Sequence, residues 1–133
     1  MRMAKMMSLS RSGVAGIIAL TVWCVQAMPA FSGEADVVDA AATRQPDGTW
    51  TFAVTVSHAD EGWEHYANRW DVVGPDGTVY GQRELLHPHV DEQPFTRSLS
   101  GVVIPGDVAR VVIRANDSVH GAGGREMEID LRR

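Results

Sequence analysis

Trp50-Thr51-Phe52-Ala53-Val54-Thr55-Val56-Ser57 alternates without a fault: Trp50, Phe52, Val54 and Val56 fall on one side of an extended chain, with Thr51, Ala53, Thr55 and Ser57 on the other. Period two with the bulky apolar residues on one side requires a strand with one face in a core. A lone apolar sheet face is not stable in water, so the fold turns on what the neighbouring segments bring to cover it.

Upstream, Gln45-Pro46-Asp47-Gly48 is a turn, with proline setting φ and glycine taking the left-handed position. Residues 35–44 before it are alanine-rich with no clean face, which suits an edge strand. Downstream, residues 58–64 break the alternation as a loop, and residues 65–73 resume it. There Tyr66, Asn68, Trp70 and Val72 lie opposite His65, Ala67, Arg69 and Asp71. Trp70 fits the tryptophan that a sandwich places on its third strand. Gly74-Pro75-Asp76-Gly77 closes a hairpin onto residues 78–81. Phe95, Arg97 and Leu99 share one side of a strand over 95–104 whose register blurs near Gly101. Pro105-Gly106-Asp107 turns into residues 108–116, where Val111, Ile113 and Ala115 face inward. Met127, Ile129 and Leu131 then share a face in 125–131. No helical period competes after residue 35. The pattern predicts an all-β domain over residues 35–133, an immunoglobulin/fibronectin type III-like antiparallel β-sandwich of about seven strands.

The amino terminus reads differently. Residues 1–12 carry Arg2, Lys5 and Arg11 with no acid, and residues 13–27 are almost wholly apolar. This is the pattern of a secretory signal over residues 1–30, cut after Ala27 or Ala30, and it predicts a periplasmic or secreted protein. Its apolar run of about 15 residues falls short of the ~20 that span a bilayer, so the membrane enters only through an uncleaved anchor. Bulky Trp23 stands before Cys24, where a lipoprotein signal has a small residue. Removing the signal takes away the one cysteine, and with it any disulfide or thiolate ligand. It also leaves nine basic residues against seventeen acids, a net charge of −8. That balance excludes nucleic acid and anionic membrane surfaces as partners and suits attraction of cations.

Antiparallel connections alternate between the two ends of a sandwich. The three Pro/Asp/Gly turns therefore share one end, and the longer connections 58–64, 82–94 and 117–124 share the other. The second set carries His58, His87, His89 and His120, with His65 at the start of its strand. In His87-Pro88-His89 an extended backbone turns both imidazoles to one side, and Pro88 fixes its own φ and biases His87 away from helix. Neutral imidazole suits copper and zinc, so the pattern predicts a divalent Cu(II) or Zn(II) site, with no organic cofactor. Its candidate ligands are His87, His89 and His120, with His65, Glu92 and Asp117 filling or supporting the sphere. The same imidazoles also suit hydrogen bonding to backbone groups that long loops leave unpaired, with His58 as a solvated loop residue. In that case the loops serve a metal-free interaction module that meets an exported or membrane protein. Catalysis has no supported nucleophile and base: Ser118 and His120 are two residues apart with no third group to orient them.

Over residues 62–131 the chain resembles a family of small exported proteobacterial proteins of no agreed activity. The resemblance rests on Trp70-Asp71-Val72, Leu85-Leu86-His87-Pro88-His89, Glu92-Gln93-Pro94-Phe95-Thr96-Arg97-Ser98-Leu99 and Asp117-Ser118-Val119-His120-Gly121. It implies an exported location. It also implies that the His-Pro-His segment and the Asp117 loop form one unit.

Overall fold

The structure, a computed structural model, describes residues 33–132, so the expected secretory signal over residues 1–30 lies outside the described residues. Among the described residues there is no helix long and apolar enough to cross a membrane. Seven strands follow one another: β1 Asp36–Arg44, β2 Trp50–Ser57, β3 Ala67–Val73, β4 Val79–Glu84, β5 Phe95–Val102, β6 Arg110–Asp117 and β7 Met127–Asp130. They form two antiparallel sheets, β1-β2-β5 and β4-β3-β6-β7. An immunoglobulin constant domain joins its fourth strand to the first sheet. Here β4 pairs with β3 instead, giving three strands against four.

The fault-free alternation of β2 becomes alternate burial. Trp50, Phe52, Val54 and Val56 are almost fully buried, packed in one core with Trp70, Val72, Val111, Ile113 and Ala115 of the facing sheet. Truncating Phe52 or Trp70 to alanine costs ~3–5 kcal/mol, a large part of the ~5–15 kcal/mol a domain has in hand. On the outer face of β6, Arg110 meets Glu128 and Asp130 at 3.2 and 2.9 Å, and Arg114 meets Glu126 at 2.7 Å. These exposed cross-strand pairs contribute ~0.2–1 kcal/mol each and fix the β6–β7 register more than they stabilise it.

Two strands depart from simple alternation. The pairing of β3 with β6 shifts between Ala67 and Arg69, so Ala67 is buried where strict period two would turn Tyr66 and Asn68 inward with Trp70. An extra residue at a bulge reverses the faces on either side of it. β4 runs on to Glu84, longer than its apolar residues suggest, because Arg83 and Glu84 pair with Trp70 and Arg69. The turns carry a repeated Pro-Asp-Gly-Thr: the Asp47 carboxylate accepts the Thr49 amide at 3.0 Å, and Asp76 does the same for Thr78 at 3.0 Å. Gly48 and Gly77 both sit at φ 86°, a conformation that favours glycine.

The register also settles which loops meet. Ser57 pairs with Asp36, Phe95 with Val56, Asp117 with Ala67 and Glu84 with Arg69. The β2–β3, β4–β5 and β6–β7 connections therefore leave the sandwich at one end, where all five histidines lie.

Candidate metal centre

Asp60, in the β2–β3 loop, ties this end together. Its Oδ1 accepts from His58 Nδ1 at 2.6 Å and from the Ala67 amide at 2.9 Å, while its Oδ2 accepts the His89 amide at 2.7 Å. One buried carboxylate thus anchors its own loop, the start of β3 and the β4–β5 loop. Gln93 adds a second brace, accepting the His58 amide at 3.0 Å and donating to the His89 carbonyl at 3.0 Å. His58 is not a solvated loop residue. It is 5% exposed, and its Nε2 lies 3.1 Å from the Gly33 carbonyl just ahead of β1.

The second carboxylate is Asp117, at the end of β6. Gly121, at φ 72°, lets the following loop fold back, with hydrogen bonds in both directions between the Asp117 and Gly121 backbones. That turn aims the Val119 and His120 amides at Asp117 Oδ1, at 2.8 and 2.7 Å, with His120 Nδ1 at 3.2 Å. Burial on its own would raise the Asp117 carboxyl. The two amide hydrogen bonds and the His120 ring outweigh it and hold the group below its ordinary 3.8. Asp117 Oδ2 is buried with no hydrogen-bond partner, and so is His65 Nε2, which lies 3.3 Å from Asp117 Oδ1.

The imidazoles form a row. The His58 and His65 rings are 4.8 Å apart edge to face, and His65 and His120 are 5.0 Å apart. His58, His65 and Asp117 each offer a ligand atom, and these three atoms lie within 4.8 Å of one another. Around a tetrahedral ion at bond lengths of ~2.1 Å, ligand atoms stand about 3.4 Å apart, so small side-chain shifts would close the set. The His58–Asp60 contact supplies half of what a ligating histidine needs, one nitrogen held by a carboxylate, while the other nitrogen lies 3.1 Å from the Gly33 carbonyl. To ligate through Nε2, His58 gives up the Gly33 carbonyl. His120, with its side chain 39% exposed, stands on the solvent side of the row.

Of the residues singled out from sequence, the structure brings His65 and Asp117 into this group and sets His120 against it. His87 and His89 form a separate stack: their rings are 4.5 Å apart, and His89 lies flat on Phe95 at 3.9 Å. Arg97 Nη2 is 3.0 Å from His89 Nε2. A guanidinium only donates, so His89 Nε2 accepts and the neutral ring carries its proton on Nδ1. Burial, followed by the charges of Arg97 and His87, holds the His89 ring below its ordinary 6.5. Glu92 lies at the surface, 3.6 Å from Arg97. Sequence reasoning missed His58 as a member and Asp60 as its support. Their signal was the His58-Ala59-Asp60 spacing directly after the clearest strand, the same i, i+2 relation that drew attention to His87 and His89. A cleft of about 650 Å³ lies at the opposite end among the turns, between Pro75, Tyr80 and Pro105, and is lined by no histidine.

No family model matches the chain. Over 97 residues it is 40% identical to a "Putative lipoprotein" of Halomicrobium mukohataei, a match covering 73% of this chain and 47% of that protein. The chain thus spans about half the length of the curated relative it matches. Among solved structures it is similar to a hypothetical protein of Pyrococcus horikoshii OT3, with a TM-score of 0.50 at 15% identity over 76% of this chain and 92% of that one. It is also similar to a superoxide reductase in its oxidised state, with a TM-score of 0.43 at 15% identity over 75% and 90% of the two chains. The first of these likenesses supports the sandwich fold and nothing finer.

Proposed function

We propose that this chain is an exported β-sandwich protein, periplasmic or secreted, that binds one divalent transition metal, copper or zinc, at its loop end. His65 and Asp117 are the central ligands, His58 is the third, held by Asp60, and His120 closes the sphere from solvent. The observation that carries this reading is Asp117 Oδ2, buried without a hydrogen-bond partner on a carboxylate whose Oδ1 lies 3.3 Å from His65 Nε2, beside a histidine already braced by a carboxylate. A buried acceptor left unmade costs ~1–3 kcal/mol, and a cation between these groups would remove that cost. The nitrogen-and-oxygen donor set suits Cu(II) or Zn(II). Export is supported by the lipoprotein name of the relative and by the basic-then-apolar reading of the first thirty residues. The proposal extends to kinship with the small exported proteobacterial proteins that the chain resembles over residues 62–131, a likeness that includes its Leu85-Leu86-His87-Pro88-His89 segment. Calorimetric titration with Cu(II) and with Zn(II) tests the site: we expect one equivalent bound below ~10 μM, weakened at least ~10-fold by His65→Ala or Asp117→Asn. No binding of either ion in that range, or binding that both variants leave intact, refutes it.

One observation favours a second reading, a metal-free module that contacts another exported or membrane protein. Trp63, Leu86, Val90 and Val119 are 55–72% exposed, and all four sit on the same three loops as the histidines. Protein that binds neither ion yet loses a partner on Trp63→Ala with Leu86→Ala would support it.

A further inference from the structure

Away from the metal centre, two arginines point into the sandwich. Arg83 of β4 pairs across the sheet with buried Trp70, and Arg97 of β5 pairs with buried Val54. Directly paired residues of antiparallel strands share a face, so both guanidinium stems start on the core side. β4 and β5 are edge strands of opposite sheets and lie against each other, so the two side chains meet in the seam between the sheets. A cavity of about 70 Å³ there is lined by Arg83, Arg97, His87 and His89, with Leu85, Leu86 and Glu84 completing its wall.

Two of the basic residues on that wall, Arg83 and His89, have unmet polar atoms, and both atoms are donors. Arg83 Nε is buried with no acceptor. His89 is 4% exposed, its Nδ1 is buried without a partner, and the Arg97 contact at Nε2 means that Nδ1 bears the proton. Trp70 Nε1, on the residue paired with Arg83, is a further buried donor without an acceptor. Arg97 spends its donors on His89, on the Thr96 carbonyl at 2.7 Å and on exposed Glu92. Glu84 pairs with Arg69 and so starts on the outer face. An inward charge on an edge strand deters edge-to-edge pairing, which accounts for one arginine on each edge. It does not account for Arg83 Nε and His89 Nδ1 being buried there without an acceptor.

We propose that this seam binds a small oxyanion, a carboxylate or a tetrahedral anion, through the Arg83 guanidinium and His89 Nδ1–H, with Arg97 adding positive field. Guanidinium forks match carboxylate and phosphate oxygens in plane. The cavity has roughly the room of two waters, enough for one such group and not for a larger ligand. The site is separate from the proposed metal centre, because neither Asp117 nor His65 lines it.

The test is NMR of the ¹⁵N-labelled protein, following the Arg83 Nε–H and His89 Nδ1–H resonances during titration with sodium acetate, phosphate or sulfate at constant ionic strength. We expect saturable shifts of both resonances with a Kd of about 1–10 mM for at least one anion, at least ~5-fold weaker in Arg83→Gln and unchanged in Asp117→Asn. Saturation by acetate first assigns a carboxylate, and by phosphate or sulfate first a tetrahedral anion. Should Arg83→Gln fail to fold, Arg83→Lys keeps the charge without the planar fork and is expected to lose at least ~3-fold. Shifts that rise linearly with every anion mean that water alone fills the seam and overturn the proposal. Affinity unchanged by the Arg83 substitution overturns it as well.

Discussion

Replacing Asp60 with asparagine changes one oxygen to a nitrogen and leaves the volume nearly the same. The wild-type carboxylate accepts three hydrogen bonds, at 2.6, 2.9 and 2.7 Å, and its side chain is fully shielded from solvent. An asparagine carbonyl retains at most the two at one oxygen, and its NH2 then faces either the His89 amide or the His58 and Ala67 donors. At least one strong contact becomes donor against donor. Losing a hydrogen bond to a charged group costs ~1.5–3 kcal/mol, and an orphaned buried donor adds ~1–3 kcal/mol. Together these losses put the cost of Asp60→Asn at about 3–5 kcal/mol. The assay is urea unfolding followed by fluorescence of buried Trp50 and Trp70, with stability from linear extrapolation. His58→Ala and the double variant complete a cycle, in which a coupling of at least ~1 kcal/mol is expected for groups in direct contact. A loss below ~1 kcal/mol for Asp60→Asn, or strict additivity with His58→Ala, would show that the carboxylate does not hold this end together.

Three other perturbations separate the parts of the structure. Because the His89 ring is held below 6.5 by burial, Arg97 and His87, the unfolded chain takes up a proton as pH falls through 6.5 that the folded chain refuses. Stability therefore drops from about pH 6.5 downward until the folded value is passed; the melting temperature of His89→Gln should fall less between about pH 7.5 and pH 5.5 than that of wild type, and equal slopes would contradict this. The Asp117 carboxyl is held below 3.8, so its contribution is present above 3.8 and is lost as pH falls through the lower folded value; Asp117→Asn should flatten the acid limb of an unfolding curve below about pH 4. A Cβ at Gly124 would run into the Ala35 carbonyl, while one at Gly123 meets only the flexible Glu34 side chain. Gly124→Ala should therefore cost ~1–3 kcal/mol by parting β1 from the β6–β7 loop, and Gly123→Ala much less, as measured by thermal melting.

The sandwich was legible because its signals are local. The alternation of β2 and the Pro-Asp-Gly turns fix strand count and direction, and direction alone brings the histidines to one end. What period two cannot carry is a bulge, and the shift between Ala67 and Arg69 is set by pairing with β6, more than forty residues later in the chain. Nor does spacing tell which imidazole at the shared end meets which carboxylate. His87 and His89 are neighbours as expected, yet what decides their chemistry is Arg97, eight residues beyond His89 and brought to it by β5. His58 looked solvent-exposed because its loop is polar, and it is buried because Asp60, two residues on, turns inward with it.

The difference between the two buried carboxylates at this end is what assigns their roles. Asp60 uses both oxygens, and every donor it satisfies belongs to a different segment, so any ion drawn to it would have to unpick the loops. Asp117 concentrates its donors on Oδ1, all from its own loop apart from His65, and leaves Oδ2 buried and unpaired. A charged oxygen kept from water and given no donor is a costly arrangement in a folded chain, and a cation is the partner that reverses the cost. In the proposed site Asp60 is therefore the scaffold and Asp117 the ligand. His58, held by the first and within reach of the second, is the residue through which binding at Asp117 would be felt by all three loops.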